Sequence, residues 1–224
     1  MILKFYKSDN LTGLVLLPIM ALLFWLPGLL NPSAGHFSDA SPLFQWVLNI
    51  GSPLFSQLLA LLIIVISALI LNDLINKSEL FTGNTLLPAL LYVIFMSAIK
   101  EHQGLSPIVI SNLFWILAVR RLFNIYSQVP CKKEVFDATV FILLGGVFYF
   151  PSLLMLALVW IALKIFRPFV WREWVIPFLG FIIFGLYWIV ALVWAGALNN
   201  WLNYFTFDSE QYYAIQIAVL WPYY

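Results

Sequence analysis

Six long apolar runs, each bounded by polar residues, proline or glycine, make up most of this chain. They cover residues 11–30, 53–71, 84–99, 106–119, 135–166 and 174–196. A helix needs about 20 apolar residues to cross the hydrocarbon core of a bilayer, and most of the runs approach that length. Hydrophobic residues make up 63% of the chain, charged residues 9%, and the mean hydropathy is +0.98, more than one soluble core could bury. The sequence therefore predicts an all-α fold, a polytopic transmembrane helical bundle.

The run 135–166 decides the number of spans. As one helix it would be about 48 Å long, against a hydrocarbon core of about 30 Å. A hairpin broken at "GGVFYFP" places every lysine and arginine on one side except Lys100. A single tilted helix would instead move Lys164, Arg167 and Arg172 to the side of Lys100. Because positive residues concentrate in cytoplasmic loops, we predict the hairpin, about seven spans and a cytoplasmic N-terminus.

The remaining segments follow from this topology. The external segments are 31–52, 100–106 and 197–224, and the cytoplasmic ones are 1–10, 72–83, 120–134 and 167–173. We expect an uncleaved first span, because "PSAG" after it only loosely resembles a signal-peptidase site. The C-terminal residues 211–224 are too few to cross; they lie at the interface, insert part-way or begin an incomplete eighth helix. The chain, residues 1–224, is expected to form a single integral membrane domain.

Basic residues mark the predicted cytoplasmic face. In "RPFVWREW" the proline should end one helix near Phe166, and the next should begin around Trp171 with Glu173 in its first turn. Arg167 and Arg172, like Arg120 and Arg121, are typical of structural anchors at a membrane surface. The alternative is binding of an anionic lipid headgroup or an acidic partner, shared with Lys132 and Lys133.

Two carboxylates near the ends of predicted spans also have structural interpretations. Asp73 can pair with Lys77 one helical turn later, and Asp137 can cap the start of its helix. The net charge of +1 gives no indication of nucleic-acid binding. The single cysteine, Cys131, can form neither an intramolecular disulfide nor a zinc site by itself.

The predicted external loops carry the candidates for chemistry. His36 and Asp39 lie in the first loop, and Glu101 and His102 in the second. These side chains could converge on one metal or one substrate, with a carboxylate as base. Their spacing matches no catalytic motif, and polar residues are common in loops between helices.

About 70 residues from Ser111 resemble an uncharacterised family of polytopic inner-membrane proteins of Bacteroidota. The elements "RRLF", "FDA", "FYFPSL" and "RPFVWREW" carry this resemblance. It implies a multi-pass protein of a bacterial inner membrane and brings no known activity.

The order of predicted helices and loops is also similar to the core of the GT-C membrane glycosyltransferases. That resemblance implies a polyprenyl-phosphate-linked sugar donor, a catalytic role for Asp39 and Glu101, and a divalent metal for which His36 and His102 are candidate ligands. The first loop is shorter than is usual in that superfamily, and its C-terminal soluble domain has no counterpart here.

These observations favour a non-catalytic subunit or scaffold of a bacterial cell-envelope assembly, with no cofactor. Membrane lipid and other membrane proteins are the expected partners, and nucleic acid is not. A GT-C-like glycosyltransferase is the alternative. A transporter ranks third, because no ionisable residue is predicted near the middle of the membrane.

Overall fold

A computed structural model describes residues 11–30, 41–49, 52–78, 85–98, 104–125, 131–194 and 196. All regular secondary structure in these ranges is helical, as predicted. The α-helices are α1 (Leu11–Leu30), α2 (Pro42–Asn49), α3 (Pro53–Lys77), α4 (Leu87–Ala98), α5 (Pro107–Asn124), α6 (Lys132–Phe148), α7 (Leu156–Phe166) and α8 (Trp171–Trp194). A 3-10 helix, Phe150–Met155, precedes α7.

The chain comprises two compact units, Met1–Gly185 and Leu186–Tyr224. The boundary between them falls within α8. Of the second unit, the structure describes residues 186–194 and Gly196, which has a positive φ of 66° just after α8. All contacts discussed below belong to the first unit.

Three helices begin at the same dipeptide, a serine followed by a proline. In each, the serine Oγ accepts a hydrogen bond from the backbone N–H three residues later, at 3.3 Å. The hydroxyl satisfies one of the free N–H groups of the first turn, and proline has no N–H that would need a partner. The starts of three helices are therefore specified locally, at Ser41 and Pro42 for α2, Ser52 and Pro53 for α3, and Ser106 and Pro107 for α5.

The run 135–166 is broken at the predicted place. Helix α6 ends at Phe148, and Tyr149 is extended, with φ −139° and ψ 100°. The chain then reverses direction. The contact between the thiol of Cys131, at the start of α6, and Glu173, which follows α7, shows this reversal. Gly146 has no Cβ, which leaves room for the side chain of Leu153 after the bend. α6 and α7 are therefore two arms of a hairpin and not one long helix.

Some helices are longer than predicted, because polar residues continue the helix beyond the end of the apolar run. α3 runs past residue 71 to Lys77, and α5 runs past residue 119 to Asn124. The first predicted loop, 31–52, contains the short helix α2, which contributes the fully buried Phe44 to the core. The boundaries in "RPFVWREW" are as predicted, with α7 ending at Phe166 and α8 starting at Trp171.

The buried apolar residues form two clusters that share α5. The first joins α1, α2, α3, α4 and the first half of α5. The second joins the second half of α5 to α6 and α7, and α8 packs against it through Trp174 and Ile176. Small residues at helix contacts let the backbones approach closely. Such alanines occur in five of the helices, at Ala21, Ala60, Ala68, Ala89, Ala118 and Ala138.

Polar contacts join neighbouring helices across the apolar interior. The Trp25 indole N–H donates to Ser97 Oγ at 3.1 Å and joins α1 to α4. The Asn112 amide donates to the Tyr92 hydroxyl at 2.6 Å and joins α5 to α4. Asn76 makes two hydrogen bonds to the backbone of Thr85, which fixes the end of α3 against the segment before α4.

Among the described residues, two helices, α3 and α8, are long and apolar enough to cross a membrane. Only 28% of the most apolar window of α3 and 17% of that of α8 are buried in the protein. Core helices of soluble proteins are mostly buried, so these two helices favour association with a membrane.

Candidate functional site

One end of the helices carries every charged residue in the described ranges. A chain of contacts connects them from α3 to α5, from α5 to α6, and from the start of α6 to the segment between α7 and α8. We call this region the charged end; its residues are Asp73, Lys77, Arg120, Arg121, Lys132, Lys133, Glu134, Asp137, Lys164, Arg167, Arg172 and Glu173. Eight of them are cations and four are carboxylates, so this end has an excess of positive charge.

Asp73 joins two helices. Its Oδ2 lies 2.9 Å from Lys77 Nζ, the predicted pair one turn later on α3. The same oxygen lies 2.8 Å from Arg120 Nη2 on α5, a contact that the sequence analysis did not predict. Arg120 is therefore occupied by a carboxylate of a neighbouring helix.

Arg121 is occupied in a similar way. Its Nε lies 3.5 Å from Asp137 Oδ2 on α6. The prediction that Asp137 caps its helix is wrong, because α6 begins at Lys132 and Asp137 lies beyond its first turn. Residues 132–134 extend the helix ahead of the apolar run, so the apolar pattern alone located its start too late.

Cys131 lies buried where the two ends of the hairpin meet. Its thiol is hydrogen-bonded to Glu173, in the first turn of α8, and Arg167 lies close enough to act on it electrostatically. The pKa of the Cys131 thiol is raised to about 11, mainly by burial and also by the hydrogen bond to Glu173 and its charge, while the charge of Arg167 opposes the shift. A raised pKa keeps the thiol protonated and unreactive at neutral pH.

Two of the four carboxylates are buried. Glu134 and Glu173 are each 4% exposed, and both lie in the first turn of a helix, where the helix dipole favours a negative charge. The Oε2 atom of Glu134 has no hydrogen-bond partner among the described residues. Sequence reasoning placed Glu173 correctly in its helix but did not detect the burial of either carboxylate.

The exposed charges that remain are positive. Lys132, Lys133, Lys164 and Arg172 are exposed, and within the described ranges no carboxylate lies at ion-pair distance from them. The guanidinium of Arg172 lies over the ring of Trp171, 6.0 Å from its centre.

An exposed aromatic segment lies beside these cations. Phe169 and Trp171 are 72% and 62% exposed, and the Phe169 ring contacts Trp174 with 5.2 Å between ring centres. Cations and exposed aromatic residues therefore occupy the same part of the surface.

The structure thus divides the predicted headgroup-binding residues into two groups. Arg120 and Arg121 pair with carboxylates inside the helical bundle, whereas Arg167 and Arg172 lie at the base of the hairpin. The external candidates lie outside the described residues: Asp39, Glu101, His36 and His102.

A small apolar pocket of about 40 Å³ lies between α5, α6 and α7. Its lining includes Trp115, Ile142 and Leu158, and none of its lining residues is charged. It therefore offers no acid or base for catalysis.

In the parts of the chain that the structure describes, no group of three or more His, Cys, Asp or Glu side chains is arranged to hold a metal ion. A scan against models of protein families, a search of curated proteins and a search of solved structures found no match to this chain.

Proposed function

We propose that this chain is a multi-pass protein of a bacterial inner membrane, with about seven spans and a cytoplasmic N-terminus. In that membrane it acts as a non-catalytic subunit or scaffold of a cell-envelope assembly. The charged end would lie at the cytoplasmic surface, and the apolar lengths of the helices would lie in the bilayer.

The separation of charge from apolar surface is the observation that carries this proposal. In the described ranges every charged side chain lies at the charged end, and the rest of the helical surface exposes large apolar side chains. Phe95 is 69% exposed, and Leu154 is 74% exposed. Soluble proteins rarely expose apolar surface on this scale, whereas lipid covers it without cost.

The lengths of the shorter helices suit the same arrangement. At 1.5 Å rise per residue, α5 and α6 are each about 26 Å long, close to the hydrocarbon core of about 30 Å. The 3-10 helix and α7 together have a length similar to that of α6 and run in the opposite direction. These lengths support a hairpin that crosses the bilayer twice.

The distribution of polar groups favours a scaffold over a transporter. Transporters need ionisable groups along a path through the membrane. In the described helices the groups away from the charged end are neutral, such as Ser97, Tyr92 and Asn112, and they join one helix to another. Their contacts stabilise helix packing and provide no charged path.

Extraction and purification test the two parts of the proposal. Membranes washed with alkaline carbonate should retain the protein, since only integral proteins resist this treatment. Protein purified from its native membrane in mild detergent should elute with defined partner proteins in constant ratio. Release by carbonate would contradict membrane insertion, and a single species with a bound polyprenyl lipid would favour the glycosyltransferase.

Substitutions in the predicted external loops separate the scaffold from the enzyme. Removing a catalytic carboxylate typically lowers a rate by about 10²–10⁴. A scaffold should tolerate Asp39→Asn and Glu101→Gln, since exposed substitutions usually change stability by less than about 0.5 kcal/mol. Either variant should restore the envelope phenotype of a deletion strain as well as the unsubstituted protein does. Failure at a normal protein level would replace the scaffold with the transferase.

A further inference from the structure

We propose that the base of the hairpin binds the phosphate headgroup of an anionic phospholipid. The site, which we call the basic patch, consists of Lys132, Lys133, Arg167 and Arg172. It depends on the proposed position of the charged end at the membrane surface, and it does not depend on a protein partner.

Folding brings the two halves of the basic patch together. Lys132 and Lys133 open α6, directly after Cys131, and Arg172 directly precedes Glu173. Cys131 and Leu163 belong to one buried cluster against which Trp174 packs, so the two segments that carry these cations meet there, with the Glu173 carboxylate beside the Cys131 thiol. Arg167 lies between the segments, close enough to act on the same thiol.

Within the described parts of these segments, the carboxylates are buried. Glu134 and Glu173 are each 4% exposed, whereas Lys132, Lys133 and Arg172 are exposed. An approaching ligand would meet the cations first. Such clusters of cations at a membrane surface attract anionic lipids.

The aromatic residues beside the basic patch favour a lipid over a free phosphate. Phe169 and Trp171 are exposed next to Arg172, whose guanidinium lies over the Trp171 ring. Tryptophan and neighbouring apolar residues at a membrane surface lie at headgroup level, with their rings toward the acyl chains. A phospholipid offers both a phosphate for the cations and acyl chains for these rings.

A titration of the full-length protein in neutral detergent tests this proposal. Phosphatidylglycerol and phosphatidylcholine are added separately, and bound lipid is counted by native mass spectrometry. Phosphatidylglycerol should bind at least about twenty-fold more tightly, because each cation near an anionic headgroup contributes about five-fold in affinity and the site has more than one. Soluble glycerol phosphate at the same concentration should not displace it.

Variants locate the site. The double variant Lys132→Gln with Lys133→Gln should weaken phosphatidylglycerol binding by about twenty-fold and leave phosphatidylcholine unchanged. Arg172→Gln, on the other segment, should weaken it by about five-fold and serves if the double variant does not fold. Lys77→Gln is the matched control, since Lys77 is an exposed cation of the charged end that already has a carboxylate partner.

Four outcomes would overturn the proposal. Equal affinity for the two lipids would remove the headgroup site, and an equal loss in Lys77→Gln would show a diffuse effect of charge. Displacement of the lipid by glycerol phosphate would show a site for a free phosphate. If Lys132 and Lys133 bind an acidic protein in place of lipid, the surface is a protein-binding surface. Retention of the chain by carbonate-washed membranes keeps each of these failures distinct from a failure of membrane insertion.

Discussion

Single charged residues in this chain act through partners that lie far away in the sequence. Asp73 binds Lys77 on its own helix and Arg120 on another, and both contacts reach the same oxygen. These side chains are roughly 40% to 66% exposed, so solvent weakens each pair. The main effect of these ion pairs is on which helix ends lie next to each other. If the helices packed in another order, the arginine would lose its carboxylate partner.

The contact between Asp73 and Arg120 can be measured in a double-mutant cycle. We expect Asp73→Asn and Arg120→Gln to show a coupling of about 0.5 kcal/mol in the free energy of unfolding, the usual size for a partly exposed pair. Arg121→Gln combined with Asp73→Asn is the matched control and should show no coupling, because Arg121 pairs with Asp137. Unfolding by denaturant in mixed micelles measures both, and equal coupling in the two cycles would contradict the assigned pairs.

Cys131 shows how burial controls reactivity. With a pKa of about 11 instead of 9.0, its thiolate fraction at about pH 8 is about 100-fold lower than that of an ordinary thiol. We expect negligible alkylation of the native protein near neutral pH and full alkylation after unfolding in sodium dodecyl sulfate. The rate should rise about ten-fold with each pH unit and level off only near pH 11.

Glu173→Gln tests the cause of this shift. It removes a negative charge that disfavours the thiolate, so alkylation of Cys131 should become faster at a given pH. The rate should stay below that of the unfolded protein, because burial remains the largest cause of the raised pKa. Native Cys131 that reacts as fast as unfolded Cys131 would show that the thiol is not buried.

At the scale of the helices, glycine decides how closely α6 and α8 approach. A Cβ at Gly180 would lie 2.9 Å from Thr139 Cγ2, closer than two carbon atoms can approach. Thr139 is itself fully buried and held by a hydrogen bond from its hydroxyl to the Val135 carbonyl, at 2.8 Å. The contact between these two helices therefore needs a residue without a side chain at position 180.

Gly180→Ala should lower the free energy of unfolding by about 1–3 kcal/mol, the cost of overpacking. Gly185→Ala is the matched control on the same helix, since a Cβ there meets no atom within 4 Å, and alanine should not destabilise it. Thr139→Ser removes the clashing methyl group and keeps the hydroxyl, so it should restore much of the stability of Gly180→Ala. Thermal unfolding in detergent compares the four proteins. Equal effects at the two glycines would disprove the close contact.

At the scale of the whole molecule, the orientation in a membrane depends on which ends of the helices carry the charged residues. The contacts between Asp73 and Arg120, Arg121 and Asp137, and Cys131 and Glu173 place the charged parts of four helices together. The turn between α6 and α7, at Tyr149, lies at the opposite end of the hairpin. If the charged end faces the cytoplasm, this turn should face outward.

Labelling with a membrane-impermeant thiol reagent tests this orientation. In intact cells, a cysteine at Phe150 should react from outside or lie just beneath that surface, and a cysteine at Val170 should be protected until the membrane is permeabilised. The native Cys131 is buried and should add no background. Labelling of Val170→Cys from outside would disprove the seven-span arrangement.

The sequence by itself determined the elements. Apolar runs, Ser-Pro pairs, and the prolines in "GGVFYFP" and "RPFVWREW" act within a few residues, so the helix starts at Ser-Pro pairs, the hairpin break and the boundary at Phe166 could be predicted locally. Helix ends beyond the apolar runs were missed, because polar residues such as Asn76 and Arg121 continue a helix without changing its hydropathy.

Only the tertiary structure decided which polar residues meet. The basic residues were already expected on one side of the membrane. The sequence did not show that Arg120 pairs with Asp73 and Arg121 with Asp137. It also did not show that Cys131 and Glu173 join Lys132 and Lys133 to the segment of Arg172. Partners 16 or more residues apart leave no local pattern, because a contact between two helices depends on their relative rotation and depth. Packing of the whole bundle sets both, through close approaches such as that of Gly180 to Thr139.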